Sequence, residues 1–433
     1  MANHDTIIFH IDVNSAFLSW ESLFRIARGE SDLRAAAAVI GGDEAARHGI
    51  VLAKSTLAKS FGIVTGEPLM RARQKCPGLI VASPHYDHFV QCSAAFMELL
   101  RKYAPVVEQY SIDEAFCDMT GCEKLYGQPA AFAHSLKDEI YNTLGFTVNI
   151  GISTNRLLAK MASDFEKPNK VHTLYPDEIS KKLWVLPVDE LFFVGRSTAS
   201  RLHTLGIHTI GELARTDVNI LKYHFKKHGE VIYDYANGRD VNIQTDHRTA
   251  NKGYGNSTTL SYDVTDRQTA HRILLSLSET VGARIRSDNA YISVVSVNMT
   301  DCEFNHSSRQ TTLDSSTNIT EVIYETACKL FDACWDHTPL RLIGVSTAKA
   351  GNDKYEQYSL FDMTAHASSE TSSAVSKNER LEKLNFAIDK IRGKFGEDSV
   401  KRACFVDSKQ SHMTGGINKA KRTNQKTSSA KNE

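Results

Sequence analysis

The chain has 433 residues, and its 51 lysines and arginines balance 51 aspartates and glutamates, so the formal charge is zero. With 41% hydrophobic and 24% charged residues it reads as an ordinary globular protein, long enough for roughly two to four domains. No stretch approaches the roughly 18 consecutive apolar residues of a membrane span, Met1-Ala2-Asn3-His4-Asp5 lacks a basic leader region, and the eight cysteines form no Cys-x-x-Cys pair. A spanning helix and a disulfide scaffold are thereby excluded, and a reducing cytoplasm is the expected setting.

Thr6-Ile7-Ile8-Phe9-His10-Ile11 is an apolar run of strand length that ends at Asp12, and beyond Asn14 the apolar positions Phe17, Leu18, Phe24 and Ile26 change to helical spacing. Residues 105–119 read as two strands joined by a tight turn, with Asp113 and Glu114 at or beside it. Phe146 to Ile152 is a further strand, and Ser153 is the expected cap of the helix that follows. That helix carries an apolar face of Leu157, Leu158, Met161, Ala162 and Phe165, with Arg156, Lys160 and Asp164 pointing elsewhere. Strands interleaved with helices predict an α+β sheet domain over about 1–165.

Residues 166–240 are helical in pattern, with a turn at Val194-Gly195, and 241–350 form a compact α+β module of alternating strands around two helices. Thr364 to Lys377 is rich in Ser, Thr and Ala and reads as a linker. Leu381, Leu384, Ile388, Ile391 and Phe395 then mark one amphipathic helix, and the basic, polar tail from Gln410 onward is expected to be disordered. The zero charge is uneven along the chain: −3 over 1–165, +1 over 166–240, −2 over 241–350 and +4 over 351–433.

Asp12 at a strand end and the adjacent Asp113 and Glu114 on a turn are placed to converge at one sheet edge. Carboxylates packed so closely repel unless a cation neutralises them, and a hard, oxygen-liganded ion such as Mg²⁺ is the natural partner. Two such ions would clamp the attacking and leaving oxygens of a phosphoryl displacement. From spacing alone, turn residues and helix caps are an equal alternative.

Ile11-Asp12-Val13-Asn14-Ser15-Ala16-Phe17, Tyr110-Ser111-Ile112-Asp113-Glu114-Ala115-Phe116 and Gly151-Ile152-Ser153-Thr154-Asn155-Arg156-Leu157-Leu158-Ala159-Lys160 together resemble the bacterial Y-family translesion DNA polymerases, in order and in spacing, and the resemblance runs from about residue 6 to 361. It implies a right-hand architecture: a palm over 1–165 with fingers inserted at about 25–77, a helical thumb over 166–240 with a helix-hairpin-helix, and a little finger over 241–350. The implied activity is low-fidelity DNA synthesis across lesions, without proofreading, by a monomer using dNTPs, primer-template DNA and two Mg²⁺ ions. The alternative is a catalytically idle, clamp-bound DNA-binding protein.

Residue by residue, Asp12, Asp113 and Glu114 match the family's metal-binding carboxylates, and Val13 its main-chain ligand. Phe17 falls at the steric gate beneath the sugar of the incoming nucleotide, with core packing as its alternative. Lys160 and Lys59 match lysines expected on the triphosphate. Thr56 stands where a Tyr is common, Asn14 where a second Asp is common, and Lys59 where Arg is common; Asn14, Lys59 and the segment Ser111-Ile112-Asp113-Glu114-Ala115-Phe116-Cys117-Asp118 lean toward the polymerase V type rather than polymerase IV. In the thumb, Gly195 and Arg196 open the helix of the hairpin, although Phe193 stands where a first glycine is common. Asn256, Ser257 and Thr258, in the strand Lys252 to Leu260, resemble the edge of the little finger that lies along the duplex. Gln357-Tyr358-Ser359-Leu360-Phe361 is similar to the bacterial sliding-clamp peptide, with Leu360 and Phe361 filling a pocket and Gln357 bonding at its rim. Gly41-Gly42-Asp43-Glu44-Ala45 shares four residues with the diguanylate cyclase signature but lacks its final Phe.

Overall fold

The structure is a computed structural model that describes residues 6–44, 47, 49–241, 251–352, 369–406, 408 and 410–414. The architecture is α+β, and packing divides the chain into two units, 1–42 with 50–246, and 43–49 with 247–433.

The first unit is built on a five-stranded sheet. Its strands are β1 (Ile8–Val13), β5 (Val106–Gln109), β6 (Glu114–Asp118), β7 (Val148–Ser153) and β8 (Val171–Thr173), in the order β5-β6-β1-β7-β8. The central strand β1 runs antiparallel to β6 and β7. Alternation along β1 sends Phe9, Ile11 and Val13 into an apolar core with Trp20, Phe89, Phe96 and Phe146. His10 and Asp12 therefore share the other face, which the helix Arg156–Asp164 covers.

Gly151 explains how close that helix lies. Paired with His10 across the sheet, it would place a Cβ 1.9 Å from the Ala159 carbonyl oxygen and 2.4 Å from the Ser163 nitrogen. Only a residue without a side chain lets the helix backbone rest on the sheet here. The helix is capped by Asn155, whose side chain accepts from the Leu158 N–H at 2.9 Å. The expected cap, Ser153, instead ends β7 and donates its hydroxyl to the Leu174 carbonyl at 2.5 Å, because its side chain is buried under the strand rather than aimed at the helix start.

A smaller sheet holds β2 (Ala38–Gly41), β3 (Val51–Lys54) and β4 (Ile80–Ala82) in the order β3-β2-β4. The apolar face of the Arg156–Asp164 helix turns away from the main core and joins a helical layer, where Leu157, Leu158 and Met161 meet Leu202, Leu213 and Tyr235.

The second unit is an antiparallel sheet of β9 (Gly255–Val264), β10 (Ile292–Asp301), β11 (His306–Thr317) and β12 (Leu340–Ala348), in the order β11-β10-β12-β9. Helices Arg267–Ser287 and Thr320–Cys334 share its core. A third helix, Ser369–Phe395, starts inside the stretch expected to be a linker. It docks through its polar stripe: Arg286 bonds Asp389 and Asn385 at 2.6 and 3.0 Å, and Arg392 reaches Glu279 at 2.7 Å. Arg402 then bridges Glu279 and Glu321, each at 2.5 Å. Leu384, Ile391 and Phe395 of its apolar stripe stay exposed. Of the tail expected to be disordered from Gln410, residues 410–414 are described and are packed, with Ser276 holding the Thr414 hydroxyl at 2.6 Å and Met413 buried, and the rest lies outside the described residues. Hydrogen bonds to helix Arg267–Ser287 supply what apolar burial does not.

Candidate active site

Asp12 and Glu114 are direct cross-strand partners in the β1–β6 register, so both carboxylates leave the same face of the sheet. Asp113 is tied into the same edge: its carbonyl accepts from the Val13 N–H at 3.0 Å, and its carboxylate accepts from Ser111 at 2.7 Å. Asp12 and Glu114 are thus paired across the sheet, and Asp113 is joined to the same edge through its main chain.

Two lysines answer them. Lys160, buried on the covering helix, lies 3.3 Å from both oxygens of Glu114. Lys167 bonds Asp12 and also Asp164, the latter at 2.8 Å. Burial pushes the Asp12 carboxyl up from its ordinary value, against the opposing pull of Lys167. Burial also works against Glu114, but the neighbouring His10 and the Lys160 charge outweigh it and bring its pKa down to about 2. Burial works against the Lys167 ammonium too, and Asp12 with Asp164 overcomes it and raises its pKa.

Sequence reasoning missed the layer beneath. His10 is fully buried, with Nδ1 at 2.8 Å from the Ser163 hydroxyl and Nε2 at 3.6 Å from Glu114. Its place two residues before Asp12 on a strand was the available signal, since alternation puts both on one face. Asn14 is a structural residue: it donates to Asn149 at 3.1 Å and accepts from the Asn169 N–H at 2.9 Å.

Among the described residues no three His, Cys, Asp or Glu side chains are drawn together around one point. The residues nonetheless fit a hard divalent ion by chemistry: a buried carboxylate with a raised pKa, its cross-strand partner and a third acid on the adjoining turn form an all-oxygen donor set.

The other expected residues are placed as follows. Phe17 stacks on Phe89 at 4.9 Å and meets Tyr86 edge-on at 6.1 Å. Thr56 and Lys59 are exposed on the short helix Thr56–Ser60. Burial and then the Lys59 charge lower the pKa of Lys54, which donates to the Ile63 carbonyl at 2.8 Å, while Lys75 is paired with Glu67 at 2.6 Å. Gly195 precedes the helix Arg196–Thr204, and a Cβ on it would meet nothing within 4 Å, so its role is not to relieve crowding. Within β9, Asn256 and Thr258 share the face of buried Leu260, and Asn256 donates to the Thr414 carbonyl at 2.9 Å. Asn256 is thus engaged by the chain's own C-terminal segment, and only Ser257 of the three lies on the opposite face. Gln357, Leu360 and Phe361 lie outside the described residues.

The sequence matches the family model of the impB/mucB/samB family over residues 11–164 and that of its C-terminal domain over 251–360, and the "DNA polymerase-iota, thumb domain" over 189–240. It is 45% identical to DNA polymerase IV of Clostridium acetobutylicum over 406 residues, 93% of this chain and 99% of that relative. The chain belongs to the Y family of DNA polymerases. A second relative, DNA polymerase IV of Alkaliphilus oremlandii, is 36% identical over 92% of this polymerase and 99% of its own length. In fold the polymerase is similar to the Y-family DNA polymerase chimera Dbh-Dpo4(243-245)-Dbh, with a TM-score of 0.66, 22% identity, and coverage of 79% of this chain and 98% of that one. The lean toward polymerase V, drawn from Asn14, Lys59 and the segment 111–118, is corrected by these polymerase IV relatives; Asn14 is engaged in the hydrogen-bond network beneath the site.

Proposed function

We propose that this polymerase extends a primer 3′-hydroxyl with dNTPs opposite damaged template positions, at low fidelity and without proofreading. The observation that carries the reading is the cross-strand pair Asp12 and Glu114, joined at the same edge by Asp113 and faced by Lys160 and Lys167. Asp12, Asp113, Glu114 and the Val13 carbonyl would hold two Mg²⁺ ions, whose charge, when bound, favours ionisation of the 3′-hydroxyl and loss of pyrophosphate.

The chain's own residues do the rest. Lys160, bonded to Glu114, brings an ammonium to the edge where phosphate charge develops, and exposed Lys59 offers a further cation to the triphosphate. The Phe17 ring, fixed by Phe89 and Tyr86, forms a wall that leaves no room for a 2′-hydroxyl. Gly195 and Arg196 present a helix start to a DNA phosphate without reading sequence. Gln357, Leu360 and Phe361 engage the bacterial sliding clamp, and the enzyme works as a monomer in the cytoplasm. The palm, thumb and little finger correspond to the five-stranded sheet, the helical layer and the second unit.

The test is primer extension on a damaged template with Mg²⁺, comparing wild type with Asp113→Ala. Loss of a metal-binding carboxylate should lower the rate by about 10³-fold or more. Equal incorporation by the two proteins would remove the catalytic assignment.

A further inference from the structure

Beside the carboxylate edge, between strands β5 and β6 and the helical layer, lies a cleft of about 380 Å³, within the roughly 300–1,000 Å³ of small-ligand sites. Its walls are aromatic: Tyr110, Phe116, Phe192, Phe193 and Tyr235. Phe193 has φ 74°, the left-handed conformation that glycine adopts freely and that costs any residue with a Cβ. It stands where hairpins of this kind commonly have glycine, yet its ring is 48% exposed, so full burial does not explain its presence. The ring is held edge-on by Phe192 at 4.8 Å and by Tyr235 at 5.6 Å. Tyr110, across the cleft, is also 48% exposed.

The charges decide what fits. The wall carries two cations, Arg156 and Lys160, and two acids, Glu108 and Asp240, with Arg156 paired to Glu108. With lining cations and anions in balance, the cleft suits a neutral flat ring with polar edges rather than a phosphate. A nucleobase has that chemistry, and aromatic side chains stack on every base. Lys160 belongs to both the cleft and the carboxylate edge, and Tyr110 precedes the turn that carries Asp113 and Glu114. In the proposed function Lys160 meets the triphosphate of the incoming nucleotide, which fixes that nucleotide, so the base free to leave its stack beside the cleft is the one at the primer's 3′ end.

We infer that the cleft binds the 3′-terminal base of the primer strand when that base is mispaired, stacking it on Phe193, Tyr235 and Tyr110. This rests on the polymerase reading above. A base docked there withdraws its 3′-hydroxyl from the carboxylates, so the cleft holds a wrong end rather than extending it.

The experiment uses the full chain and a primer ending in 5-iodouracil, either paired or mispaired, irradiated without dNTP. The mispaired end should crosslink to Phe193, Tyr235 or Tyr110 at least about fivefold more than the paired end, the low end of what base stacking supports. Phe193→Gly and Phe193→Leu should each remove most of that crosslink, while Phe193→Gly melts no lower than wild type because glycine relieves the left-handed backbone. Equal crosslinking from paired and mispaired ends overturns the inference, and so does crosslinking retained in both variants. Extension of the paired primer by the same wild-type protein separates the two claims. Extension without a cleft crosslink overturns the cleft alone, whereas no extension overturns the polymerase reading on which it rests.

Discussion

In the proposed reading a single aromatic ring, Phe17, selects the sugar, and its neighbours hold that ring in place. Phe17 is stacked on fully buried Phe89 and braced edge-on by Tyr86, so a 2′-hydroxyl cannot be accommodated by a small ring movement. Phe17→Ala should raise ribonucleotide incorporation by about tenfold or more relative to deoxyribonucleotide, measured by single-nucleotide extension. An unchanged ratio would reduce Phe17 to a packing residue. At this scale the carboxylates were legible in the sequence because a strand end and a turn are local features. His10, Ser163 and Lys167 were not: the His10 to Ser163 bond joins residues 153 apart, and the Lys167 to Asp12 bond joins residues 155 apart. Nothing in either local window announces such a partner. The bond from Asn256 to the Thr414 carbonyl was hidden for a related reason, since the two residues lie 158 apart.

The elements that carry the site were largely legible, because hydrophobic period and turn residues dictate them. Strands β1, β5, β6 and β7 and the helix Arg156–Asp164 follow their sequence patterns. Their boundaries were less so: Asn155 and not Ser153 caps the helix, a choice made by which side chain is free of the sheet. The decisive contact between elements is at Gly151, where the helix backbone touches the strand. Gly151→Ala must push the two apart, since a methyl group cannot sit 1.9 Å from a carbonyl oxygen. It should cost about 1–3 kcal/mol or more, read as a lowered melting temperature. Because Lys160 rides on that helix, primer extension should fall further than the melting shift alone explains.

For the whole molecule, the least legible part was the C-terminal segment, because it docks by charge rather than by an apolar face. Glu279 is buried between Arg392 and Arg402, and Arg286 is held by Asp389 and Asn385. Removing one partner of such a group leaves a buried charge uncompensated, so Arg392→Ala should destabilise the second unit by about 3–5 kcal/mol in denaturant titrations. Burial works against the Glu279 carboxylate, but Arg402 and Arg392 hold its pKa below the ordinary 4.5. Its contribution is complete above that ordinary value and is lost as pH falls through the lower folded value. Acid unfolding of Arg392→Ala should therefore begin at higher pH than in wild type, as followed by circular dichroism. A separate prediction concerns occupancy on DNA: Leu360→Ala with Phe361→Ala should abolish clamp binding in a direct binding assay and leave distributive synthesis intact.

The same docking imposes an order in time. The sheet of the second unit is complete in the chain at Ala348, whereas Arg402, which closes the bridge between Glu279 and Glu321, comes roughly 50 residues later. At about 5–20 residues per second of synthesis, that is an interval of roughly 3 to 10 s. Throughout it the nascent second unit has all its strands but not the full pair of arginines, Arg392 and Arg402, that neutralises Glu279 and Glu321. The second unit is thus closed only once Arg402 has been made, and a message broken between Ala348 and Arg402 yields a protein with its four-stranded sheet complete and Glu279 and Glu321 without the arginine that bridges them.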